Sequence, residues 1–321
     1  MVTISSSSGG HQIGEVLGDL NLVLDAVASM PKYSSGNGLR YSEFQVRAIV
    51  EALVQAWTDT AGHGLVVTAD TGMGKTLAFA IPTLVAAVSS LRNDRRTMSQ
   101  LLLYPRNALA KDQFGELENM VKYVNKSLIE IGRDCIGIAI DAEGLIKRTI
   151  ERYPTPAGGG PEWGVGASTV FDASAQKYGG EKPASIVLAS IESFRRRLRN
   201  PKVVQGLHQG LTRIVFDEVH LSAGIQGGHH HYLVGRLKQL LYDFDPEHNR
   251  KNALRIVGVS ATIAKPRQHL NKIWGGDLTK IRHVEGMTSS DGAPIGMMHH
   301  VMYKPRIGTP MVGALVDITS S

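Results

Sequence analysis

Cysteine is nearly absent: Cys135 is the one cysteine in 321 residues. A single thiol excludes an internal disulfide framework and a cysteine-based zinc site. It falls in the apolar stretch Cys135-Ile136-Gly137-Ile138-Ala139-Ile140, where a buried, inert thiol is expected. Long apolar runs are missing too, and none approaches the length of a membrane span. The opening residues, Met1 to Gly10, are rich in Ser and Gly and lack the apolar centre of a secretory leader. A reducing cytoplasmic setting, with no membrane partner, is therefore expected. Internal repeats and coiled-coil heptads are also lacking. Neither sign of charge dominates: 35 Lys and Arg against 29 Asp and Glu leave a net +6. That balance suits a polyanionic partner but is a weak signal alone, because runs of charge are usually solvated faces.

What is present is a core-forming composition, 42% hydrophobic, arranged as a repeating unit of short apolar strand, turn and helix. Leu65 to Ala69, Leu101 to Tyr104, Ile186 to Ala189, Arg213 to Phe216 and Leu254 to Val259 read as buried strands. Helices are expected over Val16 to Ala28, Ser42 to Trp57, from about Lys75, over Ala108 to Ile131, and over Pro266 to Trp274. Continuous apolar strands alternating with helices predict a doubly wound α/β fold, a mostly parallel sheet covered on both faces. The Gly- and Pro-rich stretch from Tyr153 to Pro183 breaks this rhythm and reads as a long loop or insertion.

The segment Ala69-Asp70-Thr71-Gly72-Met73-Gly74-Lys75-Thr76 follows a strand and opens a helix. That context suits a phosphate-binding loop, with backbone N–H groups of Thr71, Gly72, Met73 and Gly74 cradling phosphates. Lys75 would neutralise the β- and γ-phosphates, and the Thr76 hydroxyl would ligate Mg²⁺. Ala69 stands where such loops usually begin with glycine. The second signal is Phe216-Asp217-Glu218-Val219-His220, ending the fourth strand. Two adjacent carboxylates there can divide the work, Asp217 holding Mg²⁺ and Glu218 polarising the attacking water. In isolation such a pair is a common solvated strand end; beside a phosphate loop on the same sheet it points to nucleotide hydrolysis.

Taken with these motifs, Asp217-Glu218-Val219-His220 resembles the DExH form of the superfamily 2 helicase box, and Ser260-Ala261-Thr262 resembles motif III of that family. The resemblance implies a RecA-like P-loop NTPase domain using ATP and Mg²⁺. It also implies that Ser260 and Thr262 hydrogen-bond towards His220 and relay the nucleotide state. Tyr104-Pro105-Arg106-Asn107-Ala108-Leu109-Ala110-Lys111-Asp112-Gln113 resembles motif Ia, in a form closer to certain large prokaryotic helicases, some of them defence-associated. By that resemblance Pro105, Arg106, Asn107 and Lys111 hold strand phosphates; ordinary surface charge is the competing reading for Arg106 and Lys111. Ser190-Ile191-Glu192-Ser193-Phe194 resembles motif Ic, which makes Ser190 and Glu192 contact candidates. Of Arg195, Arg196, Arg197 and Arg199, one helix can aim one or two at a strand. Gln45 is a candidate adenine reader of the Q-motif type, against the alternative of a helix-surface glutamine. His229-His230-His231 is rejected as a metal site, since neighbouring helical residues face different ways.

The resemblance runs from about Tyr41 to Thr262. It divides the chain into a lead-in with one helix (1–38), an ATP-binding RecA-like domain (39–280, with the insertion at about 153–183) and the start of a linker (281–321). A strand-like Val301 to Tyr303 and an apolar run from Met311 to Ile318 fall in that last part. The expected function is an ATP-dependent helicase or translocase motor acting on DNA or RNA. A second RecA-like domain, in another chain or a longer version of this protein, would complete it. An ATP-gated binding module without productive turnover is the alternative, and a protein-remodelling ATPase is a third reading that motifs Ia and Ic disfavour.

Overall fold

The computed structural model describes residues 10–34, 39–57, 64–70, 72–91, 99–143, 145–150, 184–244, 254–261 and 263–286. The expected insertion at 153–183, the apolar segments at 301–303 and 311–318, Thr71 and Thr262 lie outside the described residues.

Eight strands form one sheet: β1 Gly64–Ala69, β2 Gln100–Tyr104, β3 Gly137–Ala142, β4 Leu145–Ile150, β5 Ile186–Ser190, β6 Arg213–Phe216, β7 Arg255–Ser260 and β8 Ile281–Gly286. Their spatial order is β4-β3-β5-β2-β6-β7-β1-β8. Seven run parallel, and β4 returns antiparallel against β3. The inner strands are buried on both faces, which is why their sequences read as unbroken apolar runs.

Alternate residues feed two cores. Leu65, Val67, Leu102, Tyr104 and Val215 face a core shared with α1 (Gly10–Ala28), α3 (Glu43–Trp57), α4 (Lys75–Ser90) and α5 (Asn107–Glu130). Val66, Leu101, Leu103, Ile214 and Phe216 face the other, built with α6 (Ile191–Arg197), α7 (Pro201–Gly210), α8 (Gly224–Phe244) and α9 (Pro266–Trp274). A short α2, Pro31–Ser34, follows α1. Cys135 is buried just before β3.

Two findings move the expected boundaries. The lead-in helix α1 packs on α4 and α5. Its Asp19, 1% exposed, accepts from Arg133 Nη1 at 2.7 Å and Ser89 Oγ at 2.8 Å, so the helix is tied to the domain. Residue 281 starts no linker: Ile281–Gly286 pairs in register with Gly64–Ala69 as an edge strand. Its exposed Arg282 and Glu285 interrupt the apolar pattern, as an outer strand allows. Gly286 permits that approach, since a Cβ there would lie 2.8 Å from Ala69 Cβ and 2.9 Å from the Phe44 ring.

At the opposite, amino edge, two buried arginines hold the end of α3. Arg213 Nη2 donates to Ala52 O at 2.8 Å and Arg255 Nε to Gln55 O at 2.9 Å. Cations at a helix C-terminus favourably meet its unpaired carbonyls. Among the described residues no helix is long and apolar enough to cross a membrane.

Candidate nucleotide and nucleic-acid site

Because the strands carrying the motifs are parallel, their carboxyl ends open on one edge of the sheet, where ligands of α/β folds gather. The loop after β1 turns through Gly72 at φ 86° and Gly74 at φ 73°, both left-handed, and enters α4 at Lys75. Lys75 Nζ folds back over the loop, donating to Ala69 O at 2.7 Å and Asp70 O at 3.2 Å. It is held by neutral carbonyls, within reach of anything the loop cradles. Thr76, next on α4, is partly exposed at the same edge.

Gln45 lies against this loop, 7% exposed. Its Oε1 accepts from Ser42 N at 2.8 Å while Ser42 Oγ accepts from Gln45 N at 3.3 Å, a capping box at the start of α3. Its Nε2 donates to Gly74 O at 3.1 Å. Both ends of the amide are thus engaged, and the side chain anchors the phosphate-type loop. The Ser42-x-x-Gln45 spacing that specifies the capping box is visible in the sequence; the bond to Gly74 is not.

Asp217 and Glu218 follow β6. Asp217 N donates to Leu103 O at 3.0 Å, and Asp217 Oδ1 accepts from Glu218 N at 2.9 Å. Burial first, and then the neighbouring Glu218 charge, push the Asp217 carboxyl up to about 6, against the lowering influence of the Glu218 N–H and Lys75. Glu218 takes a left-handed φ of 48°, a conformation that costs a side-chain-bearing residue roughly 1–3 kcal/mol. Its Oε2 is buried and lacks a hydrogen-bond donor, although His220 Nδ1 stands 3.2 Å away at ion-pair distance. That His220 nitrogen hydrogen bonds instead with Ser260 Oγ at 3.0 Å. The structure therefore brings His220 and the end of β7 together. Two adjacent carboxylates, Asp217 desolvated and Glu218 with one buried oxygen that has no donor, form a set that suits a hard divalent cation.

Along the same edge, Arg106 precedes α5 and is exposed, Pro105 and Lys111 are partly exposed, and Asn107 is turned to a neighbour. Asn107 Oδ1 accepts from Glu143 N at 3.2 Å and its Nδ2 donates to Glu143 Oε2 at 3.3 Å, tying the start of α5 to the end of β3. Ser190 is the N-cap of α6, its Oγ accepting from Ser193 N at 3.2 Å. Glu192 is gripped by Arg195 at 3.1 and 2.9 Å, and this hydrogen bonding lowers its pKa. Arg197 turns inward to Asp141 at 2.6 Å, while Arg196 and Arg199 remain exposed. In the histidine run, His230 is buried and bonded to Ser222 Oγ at 2.6 Å, whereas His229 and His231 are exposed.

Three neighbours of the site gave no local signal. Tyr104 is buried at the end of β2 with its hydroxyl unpartnered. Burial, with the nearby Asp217 and Glu116 charges, pushes that phenol well above its usual pKa. Thr68 Oγ1, on β1, lies 2.7 Å from His283 Nε2 of β8. His269 Nε2 lies 2.8 Å from Val219 O, bracing the DExH turn from α9.

Residues 42–142 match the family model described as DEAD/DEAH box helicase. The Bacillus subtilis (strain 168) "Uncharacterized ATP-dependent helicase YprA" is 27% identical over 250 residues, covering 77% of this chain and 26% of that protein. The Schizosaccharomyces pombe "ATP-dependent helicase hrq1" is 25% identical over 269 residues, covering 79% of this chain and 19% of that protein. Among solved structures, the DUF1998 helicase MrfA bound to DNA and AMPPNP superposes with TM-score 0.53 at 22% identity, over 84% of this chain and 29% of that one. Mss116p bound to ssRNA and AMP-PNP gives TM-score 0.54 at 16% identity, over 85% and 44%. These structural likenesses carry the fold. The chain spans about a quarter or less of the length of these two curated relatives.

Proposed function

We propose that this chain is a RecA-like domain of the superfamily 2, DEAD/DEAH-box helicase type, and that it binds ATP–Mg²⁺ and a nucleic-acid strand and hydrolyses ATP as the first half of a helicase or translocase motor. The observation that carries this reading is the shared sheet edge: Lys75, the Asp217–Glu218 pair and the His220–Ser260 bond stand together at the carboxyl ends of β1, β6 and β7.

In this reading Lys75 exchanges its two carbonyl partners for the β- and γ-phosphates, and the N–H groups from Thr71 to Gly74 hold the phosphate oxygens. Thr76 and Asp217 would hold Mg²⁺, which when bound neutralises charge building on the phosphates. Glu218, its Oε2 free of donors, orients the attacking water and accepts its proton. His220 senses that change beside Glu218 and passes it through Ser260 to β7. Gln45 reaches adenine by giving up its bond to Gly74. Pro105, Arg106, Asn107, Lys111, Ser190 and Glu192 line the strand-facing side. Since Asn107, Ser190 and Glu192 have internal partners, Arg106 and Lys111 carry most of the phosphate contact. A second RecA-like domain, as the greater length of the relatives suggests, would supply the arginine that stabilises the transferring phosphoryl group. The domain plan follows, with the motor domain now running through Gly286.

The test is ATP turnover by the purified chain with and without single-stranded DNA or RNA, beside Glu218→Gln. Stimulated turnover lost in the variant supports the motor and names its polymer. Nucleotide binding without turnover points to the gated binding module. No ATP binding refutes the reading.

A further inference from the structure

Tyr104 is 1% exposed and its hydroxyl makes no hydrogen bond, a state that proteins seldom keep for a buried polar atom. Its position is specific. Leu103 pairs with Phe216, and the next backbone bond runs from Asp217 N to Leu103 O, so Tyr104 and Asp217 stand one step further along adjacent parallel strands. Leu103 and Phe216 both face the core under α6 to α9. Alternation turns the next residue of each strand to the other face, where Tyr104 is buried among α4 and α5 and where Lys75 acts on Asp217. The phenol is thus an unpartnered donor at the register position next to Asp217, near enough to feel its charge, while the carboxylate's bond here comes from Glu218 N.

We propose that the Tyr104 hydroxyl is a positioning donor for Asp217, aiming its carboxylate when the nucleotide and its cation are bound. The inference rests on the ATP–Mg²⁺ reading above and deepens it. Drawing Lys75 to the phosphates and Asp217 to the cation changes the partners of the carboxylate, and the buried phenol meets the new orientation without admitting water. Tyr104 also leads directly into Pro105 and Arg106, so a shift of the strand-gripping loop moves the donor. Occupancy of the nucleic-acid side then reaches the cation side through one residue.

The experiment uses the whole chain with Tyr104→Phe, which keeps the ring and deletes the hydroxyl. Retention of a fluorescent ATP analogue is titrated with Mg²⁺ and repeated in EDTA. The Mg²⁺ concentration for half-maximal retention should rise about ten-fold, as for a lost hydrogen bond to a charged group. Binding in EDTA should not change, and the melting temperature should not fall, because the deleted hydroxyl has no partner in the unliganded chain. Glu116→Gln should leave the Mg²⁺ requirement within about two-fold. An unchanged requirement in Tyr104→Phe overturns the proposal. So does a Glu116→Gln variant that reproduces the shift, since the phenol would then work through α5. Failure of the unmodified chain to hold the analogue at all would overturn the ATP reading, and this inference with it.

Discussion

Replacing Gly74 with alanine should damage the loop through Gln45 more than through the loop itself. Gly74 sits at φ 73°, ψ 36°, where a side chain costs about 1 kcal/mol. An added Cβ would also overlap Gln45 Nε2. Gln45 must then swing away, breaking its bond to Gly74 O and its hold on Ser42 N, each contributing about 1 kcal/mol. The combined loss is about 3 kcal/mol, which for a domain of this size lowers the melting temperature by roughly 6–12 °C. Gln45→Ala alone should lose about 2 kcal/mol, the two bonds without the backbone strain. In that background Gly74→Ala has nothing to collide with and should add only about 1 kcal/mol. Urea denaturation of the four proteins therefore should show a coupling of about 2 kcal/mol. Additivity to within about 0.5 kcal/mol would refute the collision and leave only strain at Gly74.

Asp217 predicts a pH dependence. Its folded pKa, about 6, is raised above 3.8, so its stability contribution is complete below about pH 3.8 and lost as pH rises through 6. The loss should reach at most about 3 kcal/mol, and a difference titration against Asp217→Asn that stays flat between these values would contradict it. Arg213 is buried, with Nη1 unpartnered, and burial and then Arg255 bring its pKa down to about 10. Arg213→Met, which fills the space without the charge, should be within about 1 kcal/mol of the parent, while Arg213→Ala should cost about 3 kcal/mol. Chemical denaturation separates the two, and equal losses would mean that the charge itself stabilises α3. Asp19→Ala leaves Arg133 and Ser89 without their buried acceptor and should cost about 2–3 kcal/mol. Hydrogen exchange should quicken in α1, and unchanged protection there would show that apolar packing alone holds the helix.

How far the sequence could be read depended on how locally each feature is encoded. The inner strands were legible because burial on both faces demands unbroken apolar runs. Cys135 to Ile140 shows in the sequence only as an apolar stretch, yet Gly137–Ala142 is β3, because the small Gly137 and Ala139 weaken its signal. Strand β8 leaves no apolar run in the sequence, since an edge strand tolerates Arg282, His283 and Glu285. Resemblance makes Asn107, Ser190 and Glu192 candidates for strand contact; the sequence does not show that their side chains also meet Glu143, Ser193 and Arg195. Those partners follow from where α5 and α6 begin, which residue identity alone does not reveal.

Sequence by itself determined the class of fold and the chemical inventory of one sheet edge, because a Gly-rich turn, a lysine and paired carboxylates act through local backbone geometry. Tertiary structure decided who meets whom. The bond from Gln45 to Gly74 spans 29 residues, that from His220 to Ser260 spans 40, and that from Thr68 to His283 spans 215. Strand order sets these meetings, and neighbouring strands in a parallel sheet need not be neighbours in the chain. The burial that pushes Asp217 up to about 6 and leaves the Tyr104 hydroxyl unpartnered on the adjacent strand comes from the same packing of distant segments.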